Sequence, residues 1–272
     1  MVLDSDLEKS SLTEQKLGEP LTLMASFVAP TGSVTEEEAA IVDELRSRLI
    51  TIVAETQCVK PENFDGDDDA TEIITFSLSD TTILRFLRGR KGDKEKTYRA
   101  IVRHLEWRKS FNIDYINIDM ILDEIASGKI LTTGYDVHGR PLITICASKH
   151  NMNQRDLNVM QYFIIYVLEK ALKKTKPEEE KLVILFDLSH FTLQCMDYDV
   201  VKMLVSILSY NYPETLANAL IVNHPLLFSA CWAIIKIWLD PVTERKVRFI
   251  RNATELSEYI PLENVPSQVN LS

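Results

Sequence analysis

A chain of 272 residues with 46% hydrophobic content is long enough to bury a sizeable core. Its 30 Lys and Arg against 40 Asp and Glu give a formal net charge of -10, which argues against nucleic acid as the main partner. Cys58, Cys146, Cys195 and Cys231 are widely scattered, so they read as reduced thiols rather than a disulfide framework or a zinc site.

The start, MVLDSDLEKS, lacks a basic n-region and an apolar core, position 2 is Val2 rather than glycine, and the end VNLS has no prenylation cysteine. The expectation is a cytoplasmic protein with neither signal peptide nor lipid anchor. Residues 1–34 are polar and punctuated by Pro20, Pro30 and Gly32, which reads as a mobile tail whose apolar patch LTLMASFVA docks on the body.

Thr35 with Glu38 forms a capping box, followed by a helix with Val42, Leu45, Leu49 and Val53 along one stripe. The acidic loop ENFDGDDD comes next. Asp65, Asp67 and Asp69 alternate as in a calcium loop, but Ala70 and Phe76 stand where such a loop needs glycine and glutamate, so a solvated linker is the better reading. Asp80 then caps TTILRFLRGRK, and Asp93 caps a longer helix with Tyr98, Ile101, Val102 and Leu105 on one face. The basic run from Arg85 to Lys96 reads first as a solvated face and second as a membrane or headgroup contact.

From Gly128 the pattern changes. Tyr135 to Pro141 reads as a turn into the strand LITIC, and Gln154 to Lys174 reads as a long helix. Leu182 to Phe186 is a continuous apolar run, the mark of a strand buried on both faces. A helix from Tyr198 to Tyr210, a strand at Ala219–Val222, an apolar helix and a strand at Val247–Ile250 complete the alternation. Strands alternating with helices imply an α/β fold with a mostly parallel sheet behind an N-terminal helical subdomain. The domain expectation is a tail at 1–34, a helical unit at 35–125 and an α/β unit at 126–272.

The apolar helix, LLFSACWAIIKIWL from Leu226 to Leu239, is interrupted only by Ser229 and Lys236. Fourteen residues span about 21 Å, too short for a bilayer core that needs roughly 20 residues. A helix greasy nearly all round is either fully buried or has one face on protein and the other on lipid.

Catalytic constellations are lacking in the sequence: there is no nucleophile elbow, phosphate loop or dinucleotide fingerprint. Asp187, Ser189 and His190 sit together at a strand end, where three near neighbours cannot normally adopt triad geometry. The expectation is a binding protein, not an enzyme, with no metal centre.

Tyr212-Pro213-Glu214, then Asn223-His224-Pro225, Phe228-Ser229, Lys236 and Leu239-Asp240-Pro241-Val242-Thr243 resemble the core signature of the CRAL-TRIO lipid-binding domain. ILRFLRGRKGDKEKTYRAIVRHLEWRKSF resembles the helical region that precedes it, and Asp136 to Pro141 resembles the family's D-x-x-G-R-P turn. The ordered set covers most of residues 80–251 and is most similar to yeast-type phosphatidylinositol/phosphatidylcholine transfer proteins.

The resemblance implies a mixed sheet and helices enclosing a pocket for one lipid, with the apolar helix as its gate. Phe228, Trp232, Ile234, Ile235, Ile237 and Trp238 would form that gate. Lys236 matches the family's gate-helix lysine that contacts inositol phosphate, whereas Met203 replaces its acidic partner. Leu182 and Ile184 replace the hydroxyls that contact phosphatidylcholine. Met203, Ile207 and Tyr210 form a helical stripe that serves as core, pocket wall or both.

Tyr162, Tyr166, His150 and His224 are residue types able to ligate haem iron, as in some divergent relatives, but without a distinctive spacing. The expected function is therefore phospholipid binding or transfer, with phosphatidylinositol leading, by a monomer that associates transiently with membranes. The alternatives are a sterol, haem or other neutral hydrophobe in the same fold, or a regulatory module with a vestigial pocket. Arg245, Lys246, Arg248 and Arg251, beyond the gate, would favour anionic membranes or simply face solvent.

Overall fold

The computed structural model describes residues 33–58, 71–73 and 78–271. The expected docking of the LTLMASFVA patch and the reading of the acidic loop at 62–69 lie outside the described residues.

Helix α1 (Glu36–Glu55) starts at the expected capping box. Thr35 Oγ1 accepts from the Glu38 amide at 3.1 Å, and Glu38 Oε2 accepts from the Thr35 amide at 3.0 Å. Two further bonds, from Arg88 Nε at 2.8 Å and Nη2 at 2.9 Å, make the same Glu38 a tie to the next helix. Helix α2 (Asp80–Gly89) corrects the sequence reading by one residue. Ser79 is the N-cap, its hydroxyl accepting from the Thr82 amide at 3.0 Å. Asp80, one place later, is free to pair with Arg46 of α1. Asp93 caps α3 (Lys94–Phe111) as expected. The three helices close on Val42, Leu45, Leu49, Ile83, Phe86, Ile101 and Leu105. A short antiparallel ladder joins β1 (Thr71–Ile73) to β2 (Tyr115–Asn117), and α4 (Leu122–Ala126) follows.

The remaining chain builds a five-stranded sheet in sequential order: β3 (Ile130–Leu131), β4 (Leu142–Cys146), β5 (Leu182–Asp187), β6 (Leu216–Val222) and β7 (Val247–Phe249). Only the β3–β4 pair is antiparallel; the other three are parallel. The sheet is mixed and mostly parallel, as the alternation of elements implied. Helix α5 (Leu157–Leu172) links β4 to β5, α6 (Tyr198–Asn211) links β5 to β6, and α7 (Phe228–Ile235) with α8 (Pro241–Lys246) links β6 to β7. Helix α9 (Ala253–Ser257) lies in the C-terminal segment.

Alternation along the strands divides their side chains between two interiors. Leu142, Val183, Leu185, Leu220 and Val222 pack under Ile250, Leu256, Ile260 and Val269 of that C-terminal segment. Ile143, Ile184, Phe186, Ala219 and Ile221 face the other way, toward a cavity.

The helical layer is fastened to the sheet by half-buried charge. Arg85 donates to Glu180 at 2.6 Å, to the Pro213 carbonyl at 2.9 Å and to Thr215 at 2.9 Å. Gly89 permits this approach, since a Cβ there would lie 2.9 Å from Pro213 Cβ.

Candidate functional site

The cavity of about 560 Å³ is within the size range of small-molecule sites. Its floor is the sheet face just described. Its walls are Met160, Ile164, Val167 and Leu168 from α5 and Val200, Val201, Leu204, Val205 and Leu208 from α6. The 3.6-residue period of these helices puts small and branched apolar groups on one face of each, so the wall presents almost nothing to a polar ligand.

Helix α7 and the 3-10 turn at Lys236–Trp238 close the side. Phe228, Cys231 and Ile235 point inward, at i, i+3 and i+7, and pack on Leu188, Phe191 and Ile221. Phe228 meets Phe191 edge-on at 5.5 Å, Trp232 meets Phe249 at 5.3 Å, and Trp238 meets Tyr198 at 5.8 Å. The opposite face is apolar yet exposed: Leu226 is 94% exposed and Ile237 72%, with Leu227 and Ile234 beside them. Of the two states open to a helix greasy all round, the structure has one stripe on protein and one on the outside.

The sequence-derived site residues separate. Phe228, Trp232, Ile235 and Trp238 line the cavity, Ile237 borders it while lying mostly exposed, and Ile234 is on the outer face. Ile184 lines it; Leu182 does not. Met203 and Ile207 pack into the core shared with α5, beside rather than within the lining. Lys236 is exposed and outside the lining.

Tyr162 packs against Phe111, and the Tyr166 hydroxyl accepts from Lys170 at 2.9 Å. His224 is exposed against Phe249, while His150 lines the cavity. Of these four, His150 alone is in the cavity lining. Asp187 accepts from the Ser189 amide and hydroxyl and from the Asn223 side-chain amide, so it satisfies donors at the strand end.

Three cationic residues at the cavity mouth, where Arg103, Ser209 and Tyr210 reach solvent, were not individually named as ligand contacts from sequence. Arg90 follows Gly89 at the end of α2 and lines the cavity with Arg103 of α3 and Lys246 of α8. Burial, and then the neighbouring Arg103 guanidinium, hold the Arg90 charge below the ordinary arginine value; Tyr210 works the other way. The signal was the basic run from Arg85 to Lys96, which mixes two jobs. Arg85 and Arg88 bind carboxylates of the fold, while Arg90 turns to the cavity.

A mostly apolar cavity under a helix with an exposed greasy face, with cations at its mouth, matches an amphiphile in chemistry. The chain belongs to the CRAL/TRIO domain family, whose model matches residues 125–270. It is 32% identical over 281 residues to the phosphatidylinositol transfer protein CSR1 of Eremothecium gossypii, covering 98% of this chain and 57% of that protein. It is also 32% identical over 195 residues to a CRAL-TRIO domain-containing protein of Schizosaccharomyces pombe, covering 68% of this chain and 44% of that one. The chain thus spans about half the length of these curated relatives. The crystal structure of Sfh5 superposes with a TM-score of 0.62 at 15% identity, over 89% of this chain and 95% of the other, a likeness of fold. Among the described residues, no helix is long and apolar enough to cross a membrane.

Proposed function

We propose that this chain binds one phosphate-bearing lipid, phosphatidylinositol foremost, and either moves it between membranes or presents it to an enzyme. The observation that carries this reading is Arg90 beside Arg103 at the mouth of an apolar cavity. A desolvated guanidinium facing another calls for an anion, and apolar walls call for acyl chains. The similarity to the phosphatidylinositol transfer protein of Eremothecium gossypii supports the choice of inositol lipid. Extraction of the purified protein followed by mass spectrometry tests it: a phospholipid is expected, and Arg90→Gln should lower the bound amount about tenfold. A sterol or other neutral hydrophobe in its place would overturn the headgroup assignment.

Membrane contact would run through the outer face of α7. Leu226, Leu227, Ile234 and Ile237 are exposed together, with Lys236, Arg245 and Arg248 exposed nearby in the chain. In this reading Lys236 meets anionic headgroups at the membrane rather than inside the closed cavity. Each basic residue near such a surface contributes about 1 kcal/mol. Replacing Ile234 and Ile237 with Asp should slow lipid exchange at least tenfold while leaving the unfolding midpoint near that of the parent. Exchange at the parental rate would rule out this face as the docking surface.

A further inference from the structure

Charge around the cavity is balanced at one end and not at the other. Where β4 and β5 finish, Lys129 pairs with Glu124 at 2.5 Å. There Asp197 also takes His150 at 3.1 Å and Arg155 at 2.8 Å. Each cationic or titratable base at that end has a carboxylate.

At the end where β6 begins, Lys246 faces Glu214 at 3.6 Å. Asp240, also in the lining, is occupied in capping α8, accepting from the Val242 and Thr243 amides at 2.8 and 3.1 Å. Among the described residues, the Arg90 side chain donates only to the Gly89 carbonyl, at 3.4 Å. Arg103 makes no ion pair and no side-chain hydrogen bond with the described residues. Among the described residues, neither of these two guanidiniums has an ion-pair partner, and the lining at this end carries three cations against two carboxylates, Glu214 and Asp240.

A phosphodiester headgroup carries one negative charge and leaves one of the two unmatched. A phosphate monoester carries about -1.5 to -2 at neutral pH and offers three acceptor oxygens, enough for two guanidinium forks. Resting on the phosphate-bearing ligand proposed above, we infer that this mouth selects lipids whose headgroup bears a phosphate monoester over those with a diester alone. Arg90, half-buried, grips the phosphate, and Arg103, at the exposed rim, supplies the second charge. Because Arg103 is solvated while the mouth is empty, holding it beside Arg90 costs little until a dianion arrives. The balanced far end is left for acyl chains and neutral groups.

The test equilibrates the whole protein with phosphatidylcholine vesicles carrying equal fractions of phosphatidylinositol and its monophosphate, then quantifies the lipid on re-isolated protein. Phosphatidic acid replaces the monophosphate in a second arm. The monoester lipid is expected on the protein about tenfold over phosphatidylinositol in both arms, the size of one added charge-assisted contact. Arg103→Gln should bring the ratio near one, and Arg103→Lys should retain most of it.

Parental protein that loads phosphatidylinositol equally well or better sinks this inference and leaves the carrier reading standing. Parental protein that loads no phospholipid sinks both. Inorganic phosphate at the concentration of the vesicle lipid should not displace the bound lipid; displacement would identify a free-anion site and overturn the proposal.

Discussion

Replacing Arg108 with Ala is expected to lower the unfolding free energy by about 3–5 kcal/mol, the cost of stranding a buried partner charge. Arg108 is 3% exposed. Its Nη1 donates to Glu169 at 2.5 Å and its Nη2 to Asp114 at 2.7 Å. Tyr212 donates to the same Glu169 oxygen at 2.5 Å. Burial alone would push the Arg108 charge down, but Glu169 and its other partners carry it above the ordinary arginine value. Without Arg108, a carboxylate that is 7% exposed keeps Tyr212 alone among these donors.

The network joins α3 to α5 and to Tyr212, which lines the cavity, so the loss falls on the seam between helical layer and cavity. Tyr212→Phe, which removes one bond and no charge, should cost only about 1–3 kcal/mol. Urea denaturation measures both. The double replacement of Arg108 by Met and Glu169 by Leu should recover part of the single loss, because the buried Glu169 charge goes with its partner and the carboxylate still deprived of a donor, Asp114, is partly solvated. A single-variant loss below about 1 kcal/mol would mean that water already solvates this network.

The sequence displayed the elements whose signals are local. The Thr35–Glu38 box, the Asp93 cap and the strand Leu182–Asp187 need only near neighbours, and each is where its pattern indicated. The Ser79 cap was missed because Asp80 is as good a capping residue; in the fold Asp80 instead pairs with Arg46, 34 residues away. The two-residue β3 and the three-residue β1 and β2 are too short to show a period.

Site residues were harder to place for a physical reason. An inward and an outward apolar residue look identical in a helix that is greasy all round, so Ile234 and Ile235 are distinguished only by packing. Likewise Arg85, Arg88 and Arg90 are three similar letters. Glu180, Glu38 and the cavity decide between them, and two of those partners come from distant parts of the chain.

Acid should loosen that same seam well before the surface carboxylates titrate. His104 is 2% exposed, with ring centroids of Phe86, Trp107 and Tyr212 at 5.3, 5.7 and 6.1 Å. Burial first, and then the Arg108 charge, lower its pKa from 6.5 to about 3, against a hydrogen bond with Asn211 at 3.2 Å. The folded protein thus holds His104 neutral where the unfolded chain would protonate it. The associated stability is complete above about pH 6.5 and is lost as pH falls toward about 3. At 1.36 kcal/mol per unit, about 3 kcal/mol should be gone by pH 4.5.

Urea midpoints at pH 7.5, 6.0 and 4.5 read this slope, and His104→Gln should flatten it between 6.5 and 4.5. A variant as acid-sensitive as the parent would assign the slope to other groups. Tyr212 touches His104 on one side and the cavity on the other, so bound lipid should also be released over this window in the parent and retained in the variant. Release at the same pH in both proteins would separate the acid response of the site from that of the seam.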